Sequence, residues 1–231
     1  MGPDKKINEE LFSLFKTYID TLENQCPQLR TDSYSYVYCT TAPNGWSSSD
    51  NRYLIVGEEG FGVKPRFSSS EEEVTESQTF NSTYLSQQLY GLKDNKSPFW
   101  RRFRRISELG KCSWTNFDKI HNQKKDLKRN NCPLSDRDRK LLHGLPQLLK
   151  EEIRILKPTT VVFFGWHWKS LEHELPEIYE KLRSLDHSVK DAPILLCHNK
   201  VNYLIAYHPY FRPQKYEDEV ISLLESCKER K

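Results

Sequence analysis

Three short apolar runs constrain this chain more than anything else in it: Tyr53-Leu54-Ile55-Val56, Val161-Val162-Phe163-Phe164 and Tyr203-Leu204-Ile205-Ala206. Each has the length and content of a buried strand. Each also ends in an informative way: Gly57-Glu58-Glu59 after the first, Gly165 after the second, His208-Pro209 after the third. The proline stops the ladder at once. It leaves a titratable imidazole at the carboxyl end of a strand, where open α/β sheets place their ligands.

Helical patterns alternate with these runs. Residues 5–25 carry Ile7, Leu11, Leu14, Phe15, Tyr18, Ile19 and Leu22 on one stripe. Pro98 to Leu109 reads as a basic helix with Phe99, Phe103 and Ile106 on one face. Ser135 to Leu156 reads as a helix with Ser135 as its cap and Asp138 three residues on, followed by helices over 166–185 and Glu217–Lys228. Further strands are expected over Cys112–Phe117, ending near Asn116, and over 193–197, with Tyr34–Cys39 as a short alternating candidate and His198–Asn202 as a turn. The class is therefore α/β: a three-layer α/β/α sandwich around a largely parallel sheet of four to five strands. A chain of 231 residues suits a single domain spanning 1–231, with a helical extension over 1–48. Residues 62–98 are rich in Ser, Glu and Gly and lack sustained apolar periodicity before Thr83, so they read as a long insertion or lid.

Composition excludes several classes. With 36% hydrophobic and 12% aromatic residues the chain is a folded protein, not a disordered one. No apolar run reaches the ~18 residues of a membrane span, and the polar start is not a secretory signal, so a cytoplasmic protein is expected. The six cysteines contain no C-x-x-C pair and read as reduced thiols in or near the core; no metal and no cofactor are called for. The net charge of +3 conceals segregation, because residues 93–140 hold 15 Lys/Arg against 6 Asp/Glu. Arg101, Arg102, Arg104 and Arg105 lie there, as do Lys124 and Lys125. Such a stretch suits a polyanion. It is equally consistent with a solvated surface whose charges face several ways.

Read singly, the strand ends stay open to two readings. Glu58 and Glu59 offer a carboxylate whose pKa burial can raise toward that of a general base, yet Gly/Glu sequences also make solvated turns. His208 reads as an active-site imidazole at a strand end or as a core histidine bonded to a carbonyl. Asn116 reads as a base-edge reader or as a strand-end cap. Phe99, Trp100 and Phe103 read as core, or as a stacking surface where exposed.

Their order along the chain is more specific. A strand ending in Gly-x-acid, an aromatic and basic segment, a strand ending in Asn, Leu-Lys-Pro-x-x-Val-Val-Phe-Phe-Gly, and a strand ending in His-Pro follow one another. In this the chain resembles the uracil-DNA glycosylase superfamily over roughly residues 50–215. The family's first motif is of the Gly-Gln-Asp-Pro-Tyr-His or Gly-Glu-Ala-Pro-Gly type, and Gly57 to Gly62 stand in its place. The resemblance implies that Glu58 or Glu59 activates water, that Asn116 reads the base, that Phe61 and Phe99 pack on it, and that His208 stabilises charge on the departing base. It also implies that Arg101, Arg102, Arg104, Arg105, Lys124 and Lys125 follow phosphates, while Tyr210, Phe211 and Arg212 enter the groove.

The implied function is a monofunctional DNA glycosylase that flips a damaged or modified pyrimidine from DNA and hydrolyses its N-glycosidic bond, in repair or in defence against foreign DNA. It would act as a monomer with DNA as partner, nucleoid-associated if bacterial, without a cofactor. The chain departs from the family at Gly60, where a proline is usual, and at Tyr210, where a small residue is usual. Ile120 stands where a cluster-ligating cysteine is found in one branch. These departures and the insertion point to a bulkier pyrimidine than uracil. A non-catalytic DNA-binding protein on the same fold is the alternative reading; a different α/β hydrolase or nucleotide-binding enzyme is the third.

Overall fold

Five strands form one sheet: β1 (Arg52–Glu59), β2 (Lys111–Asp118), β3 (Thr160–Phe164), β4 (Ile194–His198) and β5 (Val201–Ala206), in the order β2-β1-β3-β5-β4. β2, β1, β3 and β5 are mutually parallel; β4 alone runs antiparallel, against β5. The computed structural model describes residues 2–31, 33–59, 67–90, 97–121, 134–165, 168–185, 192–211 and 213–227, and statements about structure concern these. The three apolar runs occupy β1, β3 and β5, at the centre. Strands there are covered on both sides, which is why their sequences do not alternate.

The two faces divide by strand period. Leu54, Val56, Val161, Phe163, Tyr203 and Ile205 pack in one cluster with α1 (Pro3–Gln25), α5 (Leu148–Leu156), α6 (Trp168–Glu174) and α7 (Pro176–Arg183). Tyr53, Ile55, Val162, Phe164, Leu204 and Ala206 pack in the other with α3 (Pro98–Ser107) and α8 (Gln214–Ser226). The result is the expected three-layer α/β/α sandwich. In α1 the stripe Leu11, Phe15, Tyr18, Ile19 and Leu22 is buried, so the N-terminal helix is part of the main core rather than an appendage.

The stretch expected as a long insertion or lid contains α2 (Ser70–Tyr90), a helix of 21 residues. Its inward stripe is polar: Glu73, Ser77 and Asn81 are buried at i, i+4 and i+8. These side chains serve the extended segment that runs beside β2. The Val37 N–H donates to Glu73 (2.7 Å), the Cys39 N–H to Ser77 Oγ (2.8 Å) and Thr41 Oγ1 to Asn81 Oδ1 (3.2 Å), while Asn81 Nδ2 reaches past the segment to the Trp114 carbonyl of β2 (3.3 Å). Tyr34–Cys39, expected as a strand, makes an isolated bridge at Tyr34 and otherwise lies extended, held by bonds such as Tyr38 N–H to the Lys119 carbonyl (2.7 Å). Together α2 and this segment cover the open edge of β2.

Two expected helices are each broken in two. The predicted helix over Ser135–Leu156 is α4 (Asp136–Leu142) and α5, separated by a turn containing Gly144 and Pro146; the Ser135/Asp138 capping box is present. That over 166–185 is α6 and α7, because Pro176 lacks the N–H that continuation requires and instead starts a new helix. The turn joining β4 to β5 places Asn199 and Lys200 at φ +50° and +65°, the left-handed pair a two-residue hairpin needs. Cys26, Cys39, Cys112 and Cys227 are free and buried as expected, whereas Cys197 on β4 is exposed. Among the described residues no helix is long and apolar enough to cross a membrane.

Candidate active site

Because β1, β2, β3 and β5 are parallel, their carboxyl ends share one edge of the sheet. Gly57 pairs in register with Asn116, and Glu59 with Asp118. Phe164 pairs with Ala206, two residues before His208. Strands are about 4.8 Å apart, so the end of β5 lies roughly 10 Å from that of β1, the width of one ring and its partners.

Asn116 stands at the β2 end of this edge. It is 0% exposed, and its Oδ1 accepts the Trp114 indole N–H at 3.2 Å. Its Nδ2 is buried with no hydrogen-bond partner among the described residues. An unmet buried donor costs about 1–3 kcal/mol, so folded proteins rarely keep one without a use for it. Gly57 is the reason the amide fits: a Cβ there would stand 2.6 Å from Asn116 Oδ1, 3.4 Å from Trp114 Nε1 and 3.7 Å from Phe99. The glycine of the first motif is thus required by the asparagine of the second.

Phe99, at the start of α3, closes the other side. Its half-buried ring meets Phe164 edge-on (5.2 Å between centroids) and Trp114 (5.9 Å), and lies 6.4 Å from the His208 imidazole at 24° between planes. His208 accepts the Tyr210 N–H on Nδ1 (3.3 Å). In a neutral ring this assigns the proton to Nε2, which is then a donor. The fold brings together Gly57, Phe99, Asn116 and His208, from four separate elements.

Arg102 leaves the predicted DNA-contact set. It is 1% exposed and forms a bidentate pair with Glu217 of α8 through Nε (2.6 Å) and Nη2. Its Nη1 donates to the Tyr207 carbonyl (2.6 Å), and its guanidinium lies over the Phe164 ring. The Tyr216 hydroxyl accepts the Tyr207 N–H (2.9 Å). Arg102 and Tyr216 therefore clamp the residue beside His208 from both sides, an anchoring role that composition concealed.

The other predicted arginines remain at the surface. Arg101 is exposed, Arg104 and Arg105 are half-buried, and Arg105 pairs with Asp218 at 2.9 Å. They line a cleft of about 560 Å³ with Pro98, Pro209 and Gln214. Tyr210, 68% exposed, stands beside it on the 3-10 turn Pro209–Phe211. Glu58 and Glu59 end β1 at this edge; their side chains, and that of Phe211, lie outside the described residues, as do Phe61, Lys124, Lys125 and Arg212.

Two groups were not singled out from sequence. Trp114 passed as one residue of the strand expected over Cys112–Phe117, although its i−2 position puts it on the same face as Asn116. On the other face, Thr115 Oγ1 and Lys119 Nζ both donate to the Glu152 carboxylate, Lys119 at 2.7 Å to each oxygen, and all three residues are buried. Burial pushes the Glu152 carboxyl upward, with Lys119 opposing the rise. Beside them Arg139 pairs with Asp118 (2.9 Å). No metal-holding group of His, Cys, Asp or Glu occurs among the described residues. No protein-family model and no curated protein matches this chain.

Proposed function

We propose that the protein is a DNA glycosylase that hydrolyses the N-glycosidic bond of a flipped, modified pyrimidine. The observation that carries this reading is the buried, unpartnered Nδ2 of Asn116, at the carboxyl edge where Glu58 and Glu59 end β1 and where the Phe99 ring lies 6.4 Å from the His208 imidazole. A planar base with an acceptor on its rim meets each of these groups. Flipping is required because the glycosidic carbon is shielded within a duplex.

In the reaction the C1′–N bond breaks with its electron pair passing to the base, while the sugar becomes cationic. The Nε2–H of His208 and the Nδ2–H of Asn116 stabilise the anionic base. Glu59 or Glu58 offsets the cation and orients a water, whose oxygen bonds to C1′ as its proton passes to the carboxylate. Arg101, Arg104 and Arg105 hold the flanking phosphates along the cleft, with Tyr210 beside them to fill the vacated stack. Bound DNA supplies everything else; no cofactor enters.

The test is base release, followed by mass spectrometry, from duplexes carrying uracil, mismatched thymine or hypermodified cytosines, with alkali cleavage reporting abasic sites. The double substitution Glu58→Gln/Glu59→Gln is expected to lower release by about a thousandfold or more while leaving DNA retention intact. Full base release by that variant sinks the assignment. Salt-sensitive retention without release by the unsubstituted protein indicates a binding module instead.

A further inference from the structure

Beyond the end of β2, on the α5 side, lies a cavity of about 20 Å³, room for a single water. Tyr18 of α1, Asp118 and Lys119 at the end of β2, Arg139 and His143 of α4, and His173 and Glu174 of α6 line it. The imidazoles of His143 and His173 stack there, 4.3 Å between centroids and 14° between planes. His143 is the C-cap of α4, so the stack ties the end of that helix to α6. A second tie between the two helices, Asp136 to Lys169 (3.3 Å), is exposed at both ends and contributes little.

The charges that face the stack nearly cancel. Arg139 pairs with Asp118 through Nε and Nη2 (3.1 and 2.9 Å), and Lys119 with Glu152 of α5 (2.7 Å). Tyr18 stays neutral, because burial pushes its hydroxyl well above the usual range. Asp138 of α4 is turned to Ser135 and Tyr34, while Lys140, Lys150 and Glu172 are exposed. Only Glu174 lacks a fixed countercharge, and its Oε1 lies 3.8 Å from His173 Nε2. The cavity is therefore neutral when it holds one proton, shared between Glu174 and the imidazole pair. Further protons add charge that no facing anion offsets, and two charged rings at 4.3 Å repel. Burial, and then the charge of His143, hold His173 below the usual imidazole range. A depressed imidazole removes stability as pH falls; Glu174, raised by burial to about 7, has the opposite sign and cannot produce an acid response.

We propose that the His143–His173 stack is an acid-operated latch, which holds α4 against α6 while at most one ring is charged and releases α4 when both are. Half-buried rings suit this role, since they meet solvent protons yet feel each other's charge. The latch stands apart from the function proposed above and does not depend on it. It does reach the same edge of the sheet. Arg139 joins α4 to Asp118, which lies two residues past Asn116 and in register with Glu59. Release of α4 withdraws Arg139 from the end of β2.

Amide hydrogen exchange over residues 136–143 tests the latch, with rates corrected for the intrinsic effect of pH. From about pH 7.5 down to about 5, the opening constant of α4 should rise by up to about tenfold per unit while that of α5 stays level. In His173→Phe, which keeps a ring in the stack and cannot take a proton, the rise should vanish. A flat α4 profile in the unsubstituted protein, or the same rise in the variant, overturns the latch. NMR titration of the two rings gives a second reading. In the unsubstituted protein they should titrate at separate midpoints, with α4 opening along the lower one. In His143→Phe the midpoint of His173 should move up, because the opposing charge is gone; a midpoint that stays put overturns the coupling. Should neither variant fold, the unsubstituted protein decides: coincident midpoints, or opening that follows a carboxylate below about pH 4.5, overturn the proposal.

Discussion

The two faces of the sheet meet the same carboxyl edge and treat buried polarity in opposite ways. On the α5 face, Thr115, Lys119 and Glu152 form a closed set in which each charge has its partner. On the α3 face, one residue along β2, Asn116 keeps a buried donor unmet. The two arrangements come from consecutive residues, Thr115 and Asn116, whose side chains a strand must send to opposite sides. A satisfied network holds a fold in one arrangement, while an unsatisfied donor costs stability until a ligand supplies the acceptor. Under the proposed function, the contrast separates the part of the edge that maintains the protein from the part that acts.

Breaking the closed side has the largest expected effect. Lys119→Met leaves Glu152 buried without its countercharge, and the expected loss is about 3–5 kcal/mol in urea unfolding. Adding Glu152→Leu restores most of it, because removing both charges removes the desolvation cost as well. A single and a double variant of equal stability would show that Lys119 and Glu152 are not coupled.

The open side is expected to behave in reverse. Asn116→Leu replaces the unmet donor with an apolar group of similar size and leaves the indole N–H as the new orphan. Stability should therefore change by no more than about 1 kcal/mol, while base release falls by about a hundredfold or more. A large loss of stability with base release intact would reverse the roles assigned to the two faces.

How much of this contrast the chain discloses depends on the currency in which each element is stabilised. β1, β3 and β5 were legible because apolar runs that short have one stable use. Their ends, Gly57–Glu59 and His208, were legible as polar strand ends gathered at one edge, because parallel strands share their carboxyl edge. α2 was hidden because only Val74 and Leu85 among its described buried residues are apolar, while Glu73, Ser77 and Asn81 are buried by hydrogen bonds to the neighbouring segment and to β2. Arg102 looked like its neighbours in Arg-Arg-Phe-Arg-Arg, yet it lies three residues after Phe99 and four before Ile106, on the inward face. Helical spacing carried that information and composition obscured it. The Trp114–Asn116 bond follows from strand spacing alone, but the unmet Nδ2 depends on everything packed around it.

The closed side is also expected to respond to pH. The Glu174 carboxylate at the end of α6 accepts the Leu149 N–H at the start of α5 (2.8 Å), and burial pushes its pKa up to about 7 from an ordinary 4.5. A folded-state pKa above the unfolded one means that the folded protein holds the proton more tightly between these values. The associated stability is fully present below about pH 4.5 and is lost as pH rises through 7, a difference on the order of 3 kcal/mol. Glu174→Gln keeps an acceptor for Leu149 and cannot ionise. Its stability, measured against the unsubstituted protein from pH 4.5 to 8, should gain steadily with pH and level off above 7. A constant difference would place the titration elsewhere, in His173 or Glu152 nearby.

The smallest expected effect on stability lies on the outer face of α3, where the comparison can be repeated within a single turn. Arg102 and Arg101 are adjacent in sequence, but only Arg102 is inside, paired with Glu217 and bonded to the Tyr207 carbonyl. Arg101 is exposed at the mouth of the cleft beside Pro98 and Gln214. Arg101→Ala should therefore shift unfolding by less than about 0.5 kcal/mol. If this arginine contacts a phosphate, the same change reduces the slope of log affinity against log salt for duplex DNA by about 1, uniformly across sequences. An unaltered salt slope removes Arg101 from the proposed nucleic-acid surface without bearing on the proposed chemistry at Asn116 and His208, because phosphate contacts position a duplex and do not read its bases.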